Sequence, residues 1–250
     1  MGLKVRKLKQ AERRLMEETD FNATAIRRRT IKTGIKMLNI QRFECNMFQE
    51  NCYVVSDDTK ECVIIDCGAL HPEERKAMER YISDNGLTPK RLVSTHGHID
   101  HNFGNRFAED TYGLKPEVSI HDSQLIENLP AQASALIGMT YREEPAEVKN
   151  YFDEGEVIKF GNHALDVIST PGHSPGSVVL YSKDENVAFT GDTLFRLSIG
   201  RTDFQLGSYQ DMMKSLKKLS SLLPADCIIL PGHGEQTTMG FETAHNPYFK

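Results

Sequence analysis

The rhythm of apolar and polar positions changes near residue 37. Upstream, charged side chains crowd the chain without a period; downstream come short β-rich runs broken by polar turns. Leu38 to Phe43, Cys52 to Ser56 and Cys62 to Asp66 predict adjacent antiparallel strands. Pro72 to Asn85 predicts a helix: a proline sits near its first turn, Ala77, Met78, Tyr81 and Ile82 recur near 3.6 spacing, and Asn85-Gly86 closes it. Arg91 to Ser94 is the next strand, followed by a helix over Asn102 to Tyr112 and a strand over Glu117 to His121. Residues 122–152 are polar with weak helical stretches, a natural place for a substrate-facing insertion. Further strands are expected over Glu156 to Phe160, Ala164 to Ser169, Ser177 to Tyr181, Val187 to Thr190 and Cys227 to Leu230. Between the last two, Tyr209 to Leu223 predicts a helix whose Met212, Met213, Leu216 and Leu219 face the core.

Composition narrows the class. The 250 residues, 39% hydrophobic, suffice for one large domain or two small ones. No apolar run reaches membrane-spanning length, and the basic start MGLKVRKLKQAERR leads into no signal-like apolar region, so a cytoplasmic protein is expected. Of the net charge of −5, residues 1–36 carry +7 and the remainder −12. Residues 1–36 therefore read as a basic extension outside the catalytic fold, and residues 37–250 as the domain. The acidic remainder argues against a broad nucleic-acid surface and leaves a small molecule as the expected partner. Five cysteines, an odd number without a CxxC pair, are expected to be buried free thiols.

The chemistry concentrates in loops. Residues 95–101 read Thr-His-Gly-His-Ile-Asp-His, directly after the apolar Leu92-Val93, and add His96, His98, Asp100 and His101 as candidate ligands. His173 in TPGHSPGS, Asp192 in FTGDTLF and His233 in LPGHGEQ bring the set to seven. Each follows an apolar run, so strand-end loops are expected to converge on one site. Imidazole and carboxylate donors suit zinc, iron and manganese. His71, His121, His163 and His245 stand outside these motifs and are expected to be ordinary core or surface residues.

In order, THGHIDH, PGHS, TGD and PGHG resemble the metallo-β-lactamase superfamily over residues 38–250. FTGDTLFRLSIGRTD and PGHGEQTTMGFETAHNPYF most resemble its glyoxalase II-like branch, the hydroxyacylglutathione hydrolases, in a short form without their C-terminal helical domain. The resemblance implies an α/β four-layer αββα sandwich and two divalent ions, zinc foremost, with iron or manganese as alternatives. It implies one ion held by His96, His98 and His173, the other by Asp100, His101 and His233, and Asp192 bridging them. A hydroxide made available between two such ions would attack a thioester carbonyl, with Asp100 orienting the water or relaying a proton. Tyr141, Arg142, Arg196 and Arg201 are the candidate substrate contacts. GRTDFQ at residues 200–205 also resembles mononuclear iron persulfide dioxygenases, which would use His96, His173 and Asp192; a metal-dependent nuclease, a β-lactamase and a non-catalytic metal-stabilised module are the remaining alternatives.

Overall fold

The computed structural model describes residues 38–138, 140–141 and 143–250. The expected extension over residues 1–36 lies outside that range. Two six-stranded mixed sheets carry the fold. The first runs in sequence order, β1 (Asn39–Cys45), β2 (Glu50–Ser56), β3 (Glu61–Ile65), β4 (Thr88–Val93), β5 (Pro116–Ser119) and β6 (Asn150–Phe152). It is antiparallel from β1 to β3 and parallel from there to β6. The second contains β7 (Val157–Phe160), β8 (His163–Ser169), β9 (Val178–Ser182), β10 (Val187–Gly191), β13 (Ile228–Pro231) and β14 (Thr237–Thr238), with β10 and β13 its parallel pair. A small hairpin, β11 (Leu194–Phe195) with β12 (Ser198–Ile199), hangs between them in sequence.

Alternation along the strands sets the layers. In β2, Tyr53 and Val55 point between the sheets, where they meet Ile65, Val93, Leu180, Phe189 and Leu230. Cys52 and Val54 point the other way, to Met78 and Ile82 of helix α1 (Pro72–Asp84) and Phe107 and Ala108 of α2 (Asn105–Tyr112). The second sheet buries Val179, Ala188 and Ile229 against Met212, Leu216 and Leu219 of α5 (Tyr209–Leu222). Covered on both faces, β2, β9 and β10 are buried from end to end and run largely apolar rather than alternating, with buried Glu50 and Asn51 at the start of β2 as exceptions. The result is the four-layer αββα sandwich.

Departures from the expected elements have local causes. The helix expected from Asn102 starts at Asn105, because Ile99–His101 forms a 3-10 turn and the Asn102 amide donates to the carbonyls of His96 and His98. Residues 122–152 hold two short helices, α3 (Ser123–Glu127) and α4 (Leu129–Ile137), and close with β6, whose three residues show too little alternation to be read as a strand. The final helix, α6 (Met239–His245), is two turns long and was equally invisible as a pattern.

Candidate metal centre

The seven candidate donors come from loops leaving β4, β8, β10 and β13, all at the carboxyl ends of those strands. Backbone bonds lock the loops across the two sheets: Val178 N donates to Thr95 O, Gly232 N to Gly191 O, and Asn51 N to Gly232 O at 2.7 Å. Gly172 takes φ +150° with its α-carbon pressed against the Met212 backbone, a place for no other residue. At Gly232 a methyl group would collide with Asp192 Oδ1 and His101, so the absent side chain lets the His233 turn close over the cage.

Four overlapping groups of donors result, each with its ligand atoms within 4.8 Å of one another: His96, His98 and His173; Asp100, His101 and His233; His96, His101 and Asp192; and Glu50, Asp66 and His101. The first two face each other across the cage. His98 Nδ1 faces His173 Nε2 at 2.8 Å, and His101 Nε2 faces His233 Nε2 at 3.3 Å. Asp192 stands between: Oδ1 is 3.3 Å from His101 Nε2, while Oδ2 is 3.4 Å from His173 Nε2 and 3.6 Å from His233 Nε2. Asp100 Oδ2 lies 3.3 Å from His233 Nε2.

Outer partners decide which nitrogen faces inward. His173 Nδ1 donates to Arg201 O at 2.8 Å and His233 Nδ1 to Phe48 O at 3.0 Å, which leaves both Nε2 lone pairs for the cage. Asp122 accepts from Gly97 N, Ser174 Oγ and Gly176 N, binding the His-rich loop to the His173 loop. Asp66 accepts from Thr95 N at 2.6 Å and Thr95 Oγ1 at 2.7 Å. Neither carboxylate was singled out from the sequence. Asp66 carried a signal, an acid closing the apolar run Cys62 to Ile65 beside the metal loop's own strand; Asp122 carried none.

Electrostatics favour a cation. Burial, with the neighbouring imidazoles, holds His96 well below its ordinary pKa and brings His98 down to about 3, so both are neutral donors. Burial pushes Asp192 upward, but His101 and His233 outweigh it and hold the carboxylate well below its usual range. Burial opposes charge on His101 too, and there Asp192 and Asp100 prevail and raise it. His96 Nε2 and Asp192 Oδ1 are buried and without a hydrogen-bond partner among the described residues. Inward-facing imidazole lone pairs and an orphaned carboxylate oxygen are costly unless a positive centre joins them. The residues thus fit a pair of divalent cations.

The four candidate substrate contacts are dispersed. Arg201 is at the cage wall: its guanidinium lies 4.2 Å over Phe204, whose ring abuts His98 and His173 at 5.1 and 5.6 Å. Arg196 follows Phe195, which abuts His233, but its guanidinium pairs with Glu235 over Phe241. Tyr141 packs beside Phe103 in the apolar cluster behind the His-rich loop, where burial pushes its hydroxyl up to about 12. Arg142 lies outside the described residues.

Comparison with known proteins places this arrangement. Residues 45–233 match the sequence model of the Metallo-beta-lactamase superfamily. The hydroxyacylglutathione hydrolase GloC of Haemophilus influenzae is 34% identical over 216 residues, 84% of this chain and 98% of that protein. The human mitochondrial persulfide dioxygenase ETHE1 is 32% identical over 182 residues, 72% of this chain and 62% of that protein. The crystal structure of the BLEG-1 B3 metallo-beta-lactamase superimposes with a TM-score of 0.75 at 33% identity, covering 86% of this chain and 100% of that one. TTHA1623 in a di-iron-bound form superimposes with a TM-score of 0.73 at 33% identity, covering 83% of this chain and 98% of that one.

Proposed function

The chain belongs to the metallo-beta-lactamase superfamily, and from that premise we propose that it hydrolyses acyl thioesters of the glutathione type. The observation that carries the two-ion site is the second donor group: Asp100, His101 and His233 stand complete beside His96, His98 and His173, with Asp192 reaching both. Persulfide dioxygenases of this fold retain most of the second group as well, so the segment PGHGEQTT at residues 231–238 is what tilts the reading to the hydrolase. Zinc is the proposed occupant, and the same donors accept iron or manganese. When bound, a divalent pair lowers the pKa of a water to near neutrality and polarises a carbonyl oxygen.

The chain's own groups supply the rest. Burial raises the Asp100 carboxyl but His101 and His233 hold it below its ordinary pKa, and its Oδ2 at the cage is placed to orient the attacking water or relay a proton. His98, His173 and the Phe204 ring wall one flank, and Phe195 with His233 the other. A thiolate leaves without an obligatory proton donor. Arg201 is the proposed contact for a substrate carboxylate, since it stands at the Phe204 wall on the exposed rim of the cage, where a substrate carboxylate would take the place of Asp203 as its bidentate partner. Arg196, Tyr141 and Arg142 are secondary proposals for the same role.

A second reading, persulfide dioxygenase, draws on the ETHE1 likeness and on the loop Gly200 to Gln205, which packs against Asp192 and accepts from His173 through Arg201 O. One experiment separates the two. Metal analysis of purified protein is paired with S-lactoylglutathione hydrolysis, oxygen uptake on glutathione persulfide, and a cephalosporin as the β-lactam control. Two ions per chain with thioester hydrolysis is the expected result. Oxygen uptake without hydrolysis overturns it.

A further inference from the structure

Glu50 is the first residue of β2, fully buried, and neither carboxylate oxygen has a hydrogen-bond partner among the described residues. A buried carboxylate in that condition is costly and calls for a partner of opposite charge or a donor. Its surroundings are specific. Glu50 Oε1 lies 3.8 Å from His101 Nδ1, and a methyl group at Gly68 would collide with both Glu50 Oε2 and the Asp100 carbonyl, so the carboxylate sits under the Asp100–His101 segment. Its backbone forms an isolated antiparallel bridge with His233. One side chain and its own main chain thus adjoin every member of the second donor group, whereas nothing places Glu50 against His96, His98 or His173.

His101 shows why this matters. Its Nε2 faces the cage, toward Asp192, Asp100 and His233. Its Nδ1 faces away, 3.1 Å from Asp66 Oδ2 and 3.8 Å from Glu50 Oε1, aligned for a hydrogen bond with neither. Both Asp66 oxygens already accept from Thr95. Asp66 Oδ2 keeps a second lone pair and is the nearer of the two, while Glu50 is the neighbour whose carboxyl oxygens have no partner among the described residues. We propose that Glu50 is a positioning residue that, with Asp66, holds the Nδ1 side of His101, fixing the imidazole so that its Nε2 is the donor to the second ion. The inference rests on the two-ion reading above and deepens it: Glu50 sets how firmly the second ion is held, and so whether the chain works with two ions or one.

Carboxylates behind a metal-ligating imidazole typically contribute 10- to 100-fold in metal affinity. The test is zinc binding by full-length protein, measured by competition with a chromophoric chelator and by metal content. Glu50→Gln, which keeps the shape and replaces one carboxyl oxygen by an amide nitrogen that cannot accept from Nδ1, is expected to weaken one of two ions by about 10- to 100-fold and leave the other unchanged. Glu50→Asp, which keeps the carboxyl group but withdraws it from Nδ1, is expected to lose less at the same ion. Two ions at wild-type affinity in the Gln variant overturn the assignment, as does equal weakening of both. Should the Gln variant fail to fold, wild-type affinity for both ions in the Asp variant overturns it alone. Thioester turnover by the wild type is scored separately. A two-ion protein without turnover defeats the proposed activity and leaves Glu50's role standing, whereas a wild type that binds a single ion defeats both.

Discussion

Strand β8 begins at His163 and is followed, four residues past its end, by His173, so one strand carries a buried imidazole toward each end of the sandwich. The two ends, about 20 Å or more apart at roughly 3.3 Å per residue, solve the same problem in opposite ways. At the first, His163 Nδ1 meets Asp57 Oδ2 at 2.9 Å, and Asp57 also accepts from Thr59 N, Thr59 Oγ1 and Asn162 N. Protein donors satisfy that carboxylate. At the second, imidazoles point lone pairs at one another and at Asp192, and His96 Nε2 and Asp192 Oδ1 remain orphaned. Glu185 Oε1, 3.7 Å from His163 Nε2, has no hydrogen-bond partner among the described residues at the first end too; what separates the ends is that Asp57 is saturated by protein donors, whereas at the second end several imidazole and carboxylate atoms converge on one point, which suits a cation.

Mutation at the cage end should break this contrast most severely. Asp192→Ala removes the carboxylate shared by both donor groups, and turnover of S-lactoylglutathione is expected to fall by more than about 100-fold, since changes outside the ligand shell already cost 10- to 100-fold. Circular dichroism should stay that of the wild type; near-normal turnover would dissolve the distinction between the ends. Asp57→Asn is the mirror experiment: stability falls by about 2 kcal/mol as charge-assisted hydrogen bonds are lost, with ion content and turnover intact. Denaturant melts and metal analysis on the same sample decide it.

Acid should separate the ends further. Protons compete with metal for imidazole, and a raised pKa makes that competition begin at higher pH. Burial lowers His101 and His233, but Asp192 and Asp100 raise them above their ordinary value, whereas His96 and His98 lie below it. As pH falls, the ion at Asp100, His101 and His233 is therefore expected to leave first, and the ion at His96, His98 and His173 to persist to lower pH. Metal content against pH tests the order; simultaneous release would contradict it. Asp57 works in a still more acid window. Burial raises it, but the hydroxyl and backbone donors bring it down to about 2, so its stabilising contribution is complete above about pH 4 and lost as pH falls toward 2. The smallest effect concerns neither end. Removing residues 1–36 is expected to leave kcat/KM unchanged, and a folded but inactive truncation would show that the basic segment belongs to the working protein.

Much of this was readable in order along the chain. Alternating apolar runs determined strands and layers because side chains on a pleated backbone face opposite sides in turn, and glycine-flanked histidines after those runs marked donor loops by type and spacing. Short or weakly patterned pieces, β6, β14 and α6, escaped because their positions in the sheets are set by partners rather than by their own periodicity. The motifs carried the grouping of donors only through their family resemblance; the tertiary structure is what brings the atoms together, since His98 and His173 are 75 residues apart and His101 and His233 132 apart, yet their nitrogens nearly touch. It alone also put Glu50, Asp66 and Asp122 behind the cage. Ligation and its support depend on distances between atoms that the linear order leaves free, and only the packing of two sheets against each other closes those distances.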